Sequence, residues 1–178
     1  MAEHKVIPSV GILLTYGDPR VQLPAVSALT ALAHKNSEVS TCIVTTSFGD
    51  KAIPDLLANL MGRDKSSKMQ LGVAKCLTYL HRAGALPAAD PKICMKTLSC
   101  LVRMCGREHD SDTRIVAAET LAYLIEVDKD LQSIAAISNH LIVTLSDYLR
   151  CQPEGQKPLM GKSAQMVQAA FRVSWISN

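Results

Sequence analysis

One helical signature recurs along this 178-residue chain at a nearly constant interval. It reads Ala25-Val-Ser-Ala-Leu-Thr-Ala-Leu32, then Val73-Ala-Lys-Cys-Leu-Thr-Tyr-Leu80, then Ala117-Ala-Glu-Thr-Leu-Ala-Tyr-Leu124. The marker leucines Leu29, Leu77 and Leu121 are 48 and 44 residues apart. A weaker fourth copy, Ala169-Ala-Phe-Arg-Val-Ser-Trp-Ile176, places Val173 52 residues further on. A repeating unit of this size is too small to bury its apolar face alone. Such units stack on one another, and the stack presents an extended surface.

Helical repeats of roughly 40–47 residues mark the armadillo and HEAT solenoids. The sequence therefore predicts an all-α fold, a right-handed α-solenoid of about three and a half armadillo repeats in a single array over residues 1–178. The approximate units are 5–46, 51–90, 91–136 and 137–178. Hydrophobic residues make up 48% of the chain and aromatics only 4%, so the core must be aliphatic. Both ends of the sequence are abrupt and carry no polar capping repeat, which predicts a portion of a longer array or ends covered by a partner.

Within the first unit, Val6 to Leu14 reads as a helix closed by the turn Gly17-Asp-Pro19. Pro24 suits the first turn of the alanine-rich helix, where a missing N–H costs little. A short helix over Val39–Thr45 and a loop Ser47-Phe-Gly-Asp50 lead to the second unit. There Ala52–Met61 is one helix, Lys68–His81 the long one, and Gly84 its C-cap. Ala85–Pro91 is a proline-punctuated linker. In the third unit, Lys92–Cys105 carries Ile93, Leu98, Leu101, Val102 and Cys105, of which the last four have the 3–4 spacing of an amphipathic helix. A polar break over Gly106–Asp112 precedes a long helix over Thr113–Ile125. Helices over Leu131–Ala136 and Ser138–Leu149, a loop over Arg150–Lys162 and a last helix over Ser163–Ile176 complete the reading.

Several chemistries are disfavoured. A net charge of +3 is only mildly basic, and the densest cationic cluster, Arg63, Lys65 and Lys68, is broken by Asp64 in a loop, so nucleic acid is not an expected partner. No apolar run approaches the roughly 18 residues of a membrane span. The six cysteines, Cys42, Cys76, Cys94, Cys100, Cys105 and Cys151, are scattered through helical patterns and read as reduced core residues. Cys94, Cys100 and Cys105 lack metal-ligand spacing, and Glu108-His-Asp110 reads as a polar loop, so no metal is expected. The stretch Gly155–Ser163 imitates a P-loop but has five residues where four are required, with Pro158 removing an N–H. His34 and His81 close their helices as C-terminal capping groups. No catalytic group, cofactor or small-molecule substrate is expected, and the chain is not read as an enzyme.

The partner surface is expected along the groove lined by the long helices. An importin-like armadillo consensus places a Trp and, one turn later, an Asn on that face. The corresponding positions here are Ser27, Lys75, Glu119 and Phe171, then Ala31, Tyr79, Tyr123 and Trp175. The asparagine ladder is absent, which argues against an importin-like transport factor gripping basic peptides. Amphipathic rings stand in its place, and such rings serve as interface anchors or pack between repeats. The expected partner-binding residues are Tyr79, Tyr123, Trp175, Lys75 and Glu119.

The strings Ser47–Leu57, Met69–Thr78, Lys96–Cys105, Ala118–Glu126 and Leu131–Ile142 resemble the armadillo-repeat-containing protein eight family. The likeness runs from about Val21 to Leu149 and resumes at Gln168–Phe171. It departs at the loop Arg150–Lys162 and at the ending Arg172-Val-Ser-Trp-Ile-Ser-Asn178. The resemblance implies a non-catalytic subunit of the CTLH complex, the animal counterpart of the yeast GID ubiquitin ligase. By the same resemblance, the partners are other subunits and the substrate receptor, and the location is the cytoplasm and nucleus.

Overall fold

The computed structural model describes residues 3–137 of the chain. The weak fourth signature with Phe171 and Trp175, the helices expected over 138–149 and 163–176, the P-loop-like stretch and Cys151 all lie outside the described residues. Two compact units divide the chain, the first ending at Thr97 and the second beginning at Leu98.

The first unit holds α1 (Glu3–Gly11), a 3-10 turn (Ile12–Thr15), α2 (Pro19–Ala33), α3 (Ser37–Thr45), α4 (Ile53–Asn59) and α5 (Ser67–Arg82). Polar caps set the starts of α2, α3 and α5. The Asp18 carboxylate accepts from Arg20 N at 2.8 Å, the Asn36 amide oxygen from Val39 N at 3.1 Å, and Ser66 Oγ from Met69 N at 3.2 Å. Each satisfies an N–H that the first helical turn leaves without an intrahelical acceptor. Because Asp18 caps and Pro19 takes the first helical position, α2 begins five residues before Pro24. Pro24 thus sits inside α2 on its exposed side, not in the first turn, and the helix forgoes the bond residue 24 would donate to the Arg20 carbonyl.

α5 follows the sequence reading closely. Met69, Val73, Cys76, Leu77 and Leu80 are buried at the 3–4 spacing of one helix face. Gly84, with φ +80°, ends it in a Schellman motif: Gly84 N donates to the His81 carbonyl at 2.9 Å and Ala85 N to the Leu80 carbonyl at 3.0 Å. α5 packs most extensively against α2, where Val26, Leu29 and Ala33 are buried. The expected loop at 47–50 is instead a small antiparallel hairpin, β1 (Ser47–Phe48) with β2 (Lys51–Ala52), Ser47 facing Ala52. Gly49, at φ +59°, takes the first place of its two-residue turn, where a left-handed backbone favours glycine.

Within Lys92–Cys105 the 3–4 spacing of the sequence begins only at Leu98, and so does the α-helix. Lys92–Thr97 is π-helical, and only Leu98–Met104 is α-helical (α6). The interval of five between Ile93 and Leu98 breaks the 3–4 spacing, and the wider π turn absorbs the additional residue. Thr97 Oγ1 donates to the Lys92 carbonyl, five residues back, at 2.6 Å. Lys92 Nζ pairs with Asp55 at 3.1 Å and Asp90 at 3.6 Å. Burial works against its charge, but the two carboxylates outweigh it and raise the pKa.

In the second unit, α6 packs on α7 (Ser111–Ile125), which packs on α8 (Lys129–Ile137). Asp110, within the break expected to run to Asp112, caps α7 by accepting from Thr113 N at 3.0 Å and Thr113 Oγ1 at 2.6 Å. The helix therefore starts at Ser111 rather than Thr113. The marker leucines Leu29, Leu77 and Leu121 are all fully buried.

Candidate functional site

The stripe of α2 that stays in solvent carries Ser27, Ala31 and His34, spaced four and three apart. On α5 the half-buried stripe is Gly72, Lys75 and Tyr79, spaced three and four. Such spacings keep side chains on one helix face. Packed side by side, the two stripes enclose an open depression of about 420 Å³, to which Thr30 also contributes. Lys75 and Tyr79, both expected partner-binding residues, therefore share a single site. Ser27 and Ala31 line it from the opposite wall, in the register that the repeat alignment assigns them.

His34 is the residue that sequence reasoning placed differently. It occupies the C-cap position of α2, but its ring lies against Tyr79, with centroids 4.9 Å apart and planes inclined by 35°. That distance and tilt are those of an aromatic pair. Its place on the stripe was legible, since His34 continues Ser27–Ala31 by one further turn, but its contact with a ring of another helix was not. His81 likewise does not cap its own helix with its ring. Its Nδ1 donates to the Leu86 carbonyl at 2.9 Å and ties the following loop to α5.

The site's electrostatics are one-sided. Lys75 Nζ stands 5.8 Å from the Tyr79 ring centroid, over the ring face, an arrangement in which the ring quadrupole favours the cation. Neither Lys75 nor Lys68, which begins the same α5 stripe, forms an ion pair among the described residues. Among the described residues, no carboxylate lines the depression. Ser27 Oγ donates to the Leu23 carbonyl at 3.0 Å and Thr30 Oγ1 to the Val26 carbonyl at 2.7 Å, so both hydroxyl protons are committed to their own helix.

In the second unit, Glu119 is exposed and Tyr123 half-buried on α7, at the positions that correspond to Lys75 and Tyr79. The charge on this face thus changes sign between equivalent positions. Trp175 lies outside the described residues.

Burial pushes the thiols of Cys76 and Cys105 up to about 12 and raises that of Cys100 as well, so these sulfurs stay protonated and inert near neutrality. Among the described residues, no three His, Cys, Asp or Glu side chains are grouped to hold a metal, and no helix is long and apolar enough to cross a membrane.

No family model matches the chain. Sequence comparison finds armadillo repeat-containing protein 8 of Mus musculus and of Xenopus laevis, each 43% identical over 147 residues, and that of Danio rerio, 41% identical over the same length. These alignments cover 83% of this chain but only 20–22% of the relatives, so the chain spans about a fifth of their length. A crystal structure of an engineered protein aligns with 96% of this chain and 98% of its own at 17% identity, with a TM-score of 0.27 that carries no argument about the fold.

Proposed function

Since the chain is homologous to armadillo repeat-containing protein 8 over most of its length, and its helices are by that homology armadillo repeats, we propose that it is a non-catalytic protein-interaction subunit. More specifically, it serves a CTLH/GID-type ubiquitin ligase in the cytoplasm and nucleus, linking substrate receptor to ligase scaffold and so supporting proteasome-dependent degradation. The homology is the observation that carries this reading.

The groove side chains named above, Lys75 and Tyr79 on α5 with Glu119 and Tyr123 on α7, are the proposed contact residues. Tyr79 and Tyr123 occupy equivalent positions on the long helix of their own units, and rings of this kind are favoured interface anchors. No observation favours the importin-like alternative, because Ala31, Tyr79 and Tyr123 stand where that grip on a peptide backbone needs asparagine.

The test is affinity purification of the tagged chain from cells, with mass spectrometry of what accompanies it. CTLH subunits are expected in the eluate of the wild-type chain, and a Tyr79→Ala/Tyr123→Ala chain is expected to lose them. Absence of every such subunit from the wild-type eluate refutes the assignment. A folded double variant that retains all partners removes the two rings from the contact.

A further inference from the structure

We propose that the depression between α2 and α5 binds an extended acidic segment of a partner protein. A Glu or Asp carboxylate would meet Lys75 Nζ, and a neighbouring flat apolar side chain would lie against the His34–Tyr79 ring pair. The inference rests on reading this groove as a partner-docking surface and adds the chemistry of what docks there.

Three observations carry it. Among the described residues the charge in the depression is of one sign only: Lys75 lines it, no carboxylate does, and Lys75 has no ion pair. Lys68, one helix turn before Gly72 on the same stripe, is exposed and has no ion pair among the described residues, so the positive charge extends along the path an extended chain would follow. Apart from Lys75 and the Ser27 and Thr30 hydroxyls, the lining is the Ala31 methyl, half-buried Gly72 and the two rings, whose centroids are 4.9 Å apart.

Charge complementarity of this kind selects partners more than it adds raw affinity. It favours an acidic segment and penalises a basic one by like-charge repulsion. The half-buried position of Lys75 also screens its charge less than a fully exposed lysine would be screened. The hydroxyls of Ser27 and Thr30, already donating to their own helix, do not compete for the carboxylate as donors.

The experiment uses the full 178-residue chain and three fluorescein-labelled decapeptide libraries. They are identical except for a fixed central Glu-Phe, Gln-Phe or Lys-Phe pair, and binding is read by fluorescence polarisation. The Glu-Phe library is expected to bind about tenfold or more tightly than the Lys-Phe library. Lys75→Glu should invert that order, and Lys75→Gln should abolish it. Ser27→Asp, which adds a carboxylate from the other wall at an exposed position, should weaken Glu-Phe binding with Lys75 intact. Circular dichroism and thermal melts check the fold of each variant, and Ser27→Asp keeps the test decisive if a Lys75 variant unfolds.

Equal binding of the three libraries, binding of none, or an order that Lys75→Glu and Ser27→Asp leave unchanged would overturn the proposal. Capture of CTLH subunits by a chain that shows no acidic preference would overturn the proposed ligand while leaving the subunit reading in place.

Discussion

Replacing Gly72 by alanine tests how closely α2 and α5 approach at the groove. Gly72 is interior to α5, and its backbone is ordinary right-handed helix, so a side chain meets no conformational penalty there. Alanine in place of a helix-interior glycine contributes about 0.8–1.0 kcal/mol through backbone entropy alone. A Cβ at position 72 would lie 3.5 Å from Val26 Cγ1 and 3.8 Å from Leu23 Cδ1, ordinary van der Waals distances that require no neighbour to move. Full burial of a methylene adds about 0.8 kcal/mol, of which a half-buried site realises a fraction. The expected gain is therefore slightly more than 1 kcal/mol. Read by circular dichroism in urea, it should appear as a higher midpoint with an unchanged slope for the transition of the first unit. The melting temperature of that unit should rise by about 4–8 °C. A loss of stability would refute the reasoning, because it would mean that the two helices are packed against the bare Gly72 backbone.

Gly11 supplies the opposite case. A Cβ there would fall 2.7 Å from both Ile53 Cδ1 and Phe48 Cε2, so Gly11→Ala should cost about 1–3 kcal/mol as overpacking, measured in the same urea titration. Ser66→Ala removes the cap of α5 and should destabilise by about 1 kcal/mol, whereas Ser66→Asn should leave the midpoint nearly unchanged. Acid should weaken the fold in a defined direction. Asp18, Asp64 and Asp110 have pKa values held below 3.8, chiefly by hydrogen bonds from Arg20, Lys65 and Thr113 respectively. The unfolded chain takes up their protons first, so this contribution is complete at neutral pH and drains away as pH falls below about 4 toward the folded-state values. Asp110→Asn should flatten that part of a pH-dependent urea series. With a thiol-reactive dye at pH 8, Cys42 and Cys94 should label in the folded protein, and Cys76, Cys100 and Cys105 only after denaturant is added. Labelling of Cys76 in the native state would contradict its burial.

Much of the local structure was legible because its causes are local. The stripe Met69–Val73–Cys76–Leu77–Leu80 records the side of α5 that meets the core, since a helix returns to the same face every three or four residues. Gly84 stands where that helix needs a left-handed residue to close. The same periodicity set the alignment of repeats, and with it the correspondence of Ser27 with Lys75 and of Ala31 with Tyr79. The positions of Lys75 and Tyr79 on one half-buried face follow from that alignment.

What the sequence left undecided depended on competition between neighbouring signals or on groups distant along the chain. Pro24 reads as a helix start until Asp18 and Pro19 are seen to cap and begin α2 five residues earlier. The π turn at Lys92–Thr97 reconciles two apolar registers that each look like ordinary helix in isolation. The ring contact of His34 with Tyr79 joins residues 45 apart in sequence, and no periodicity within either helix encodes it. Nor does sequence spacing distinguish Gly72, where a methyl fits, from Gly11, where it does not. Periodicity reports which face of an element turns inward. The separation between two packed elements, and hence the shape and charge of the groove between them, exists only after both have been brought together.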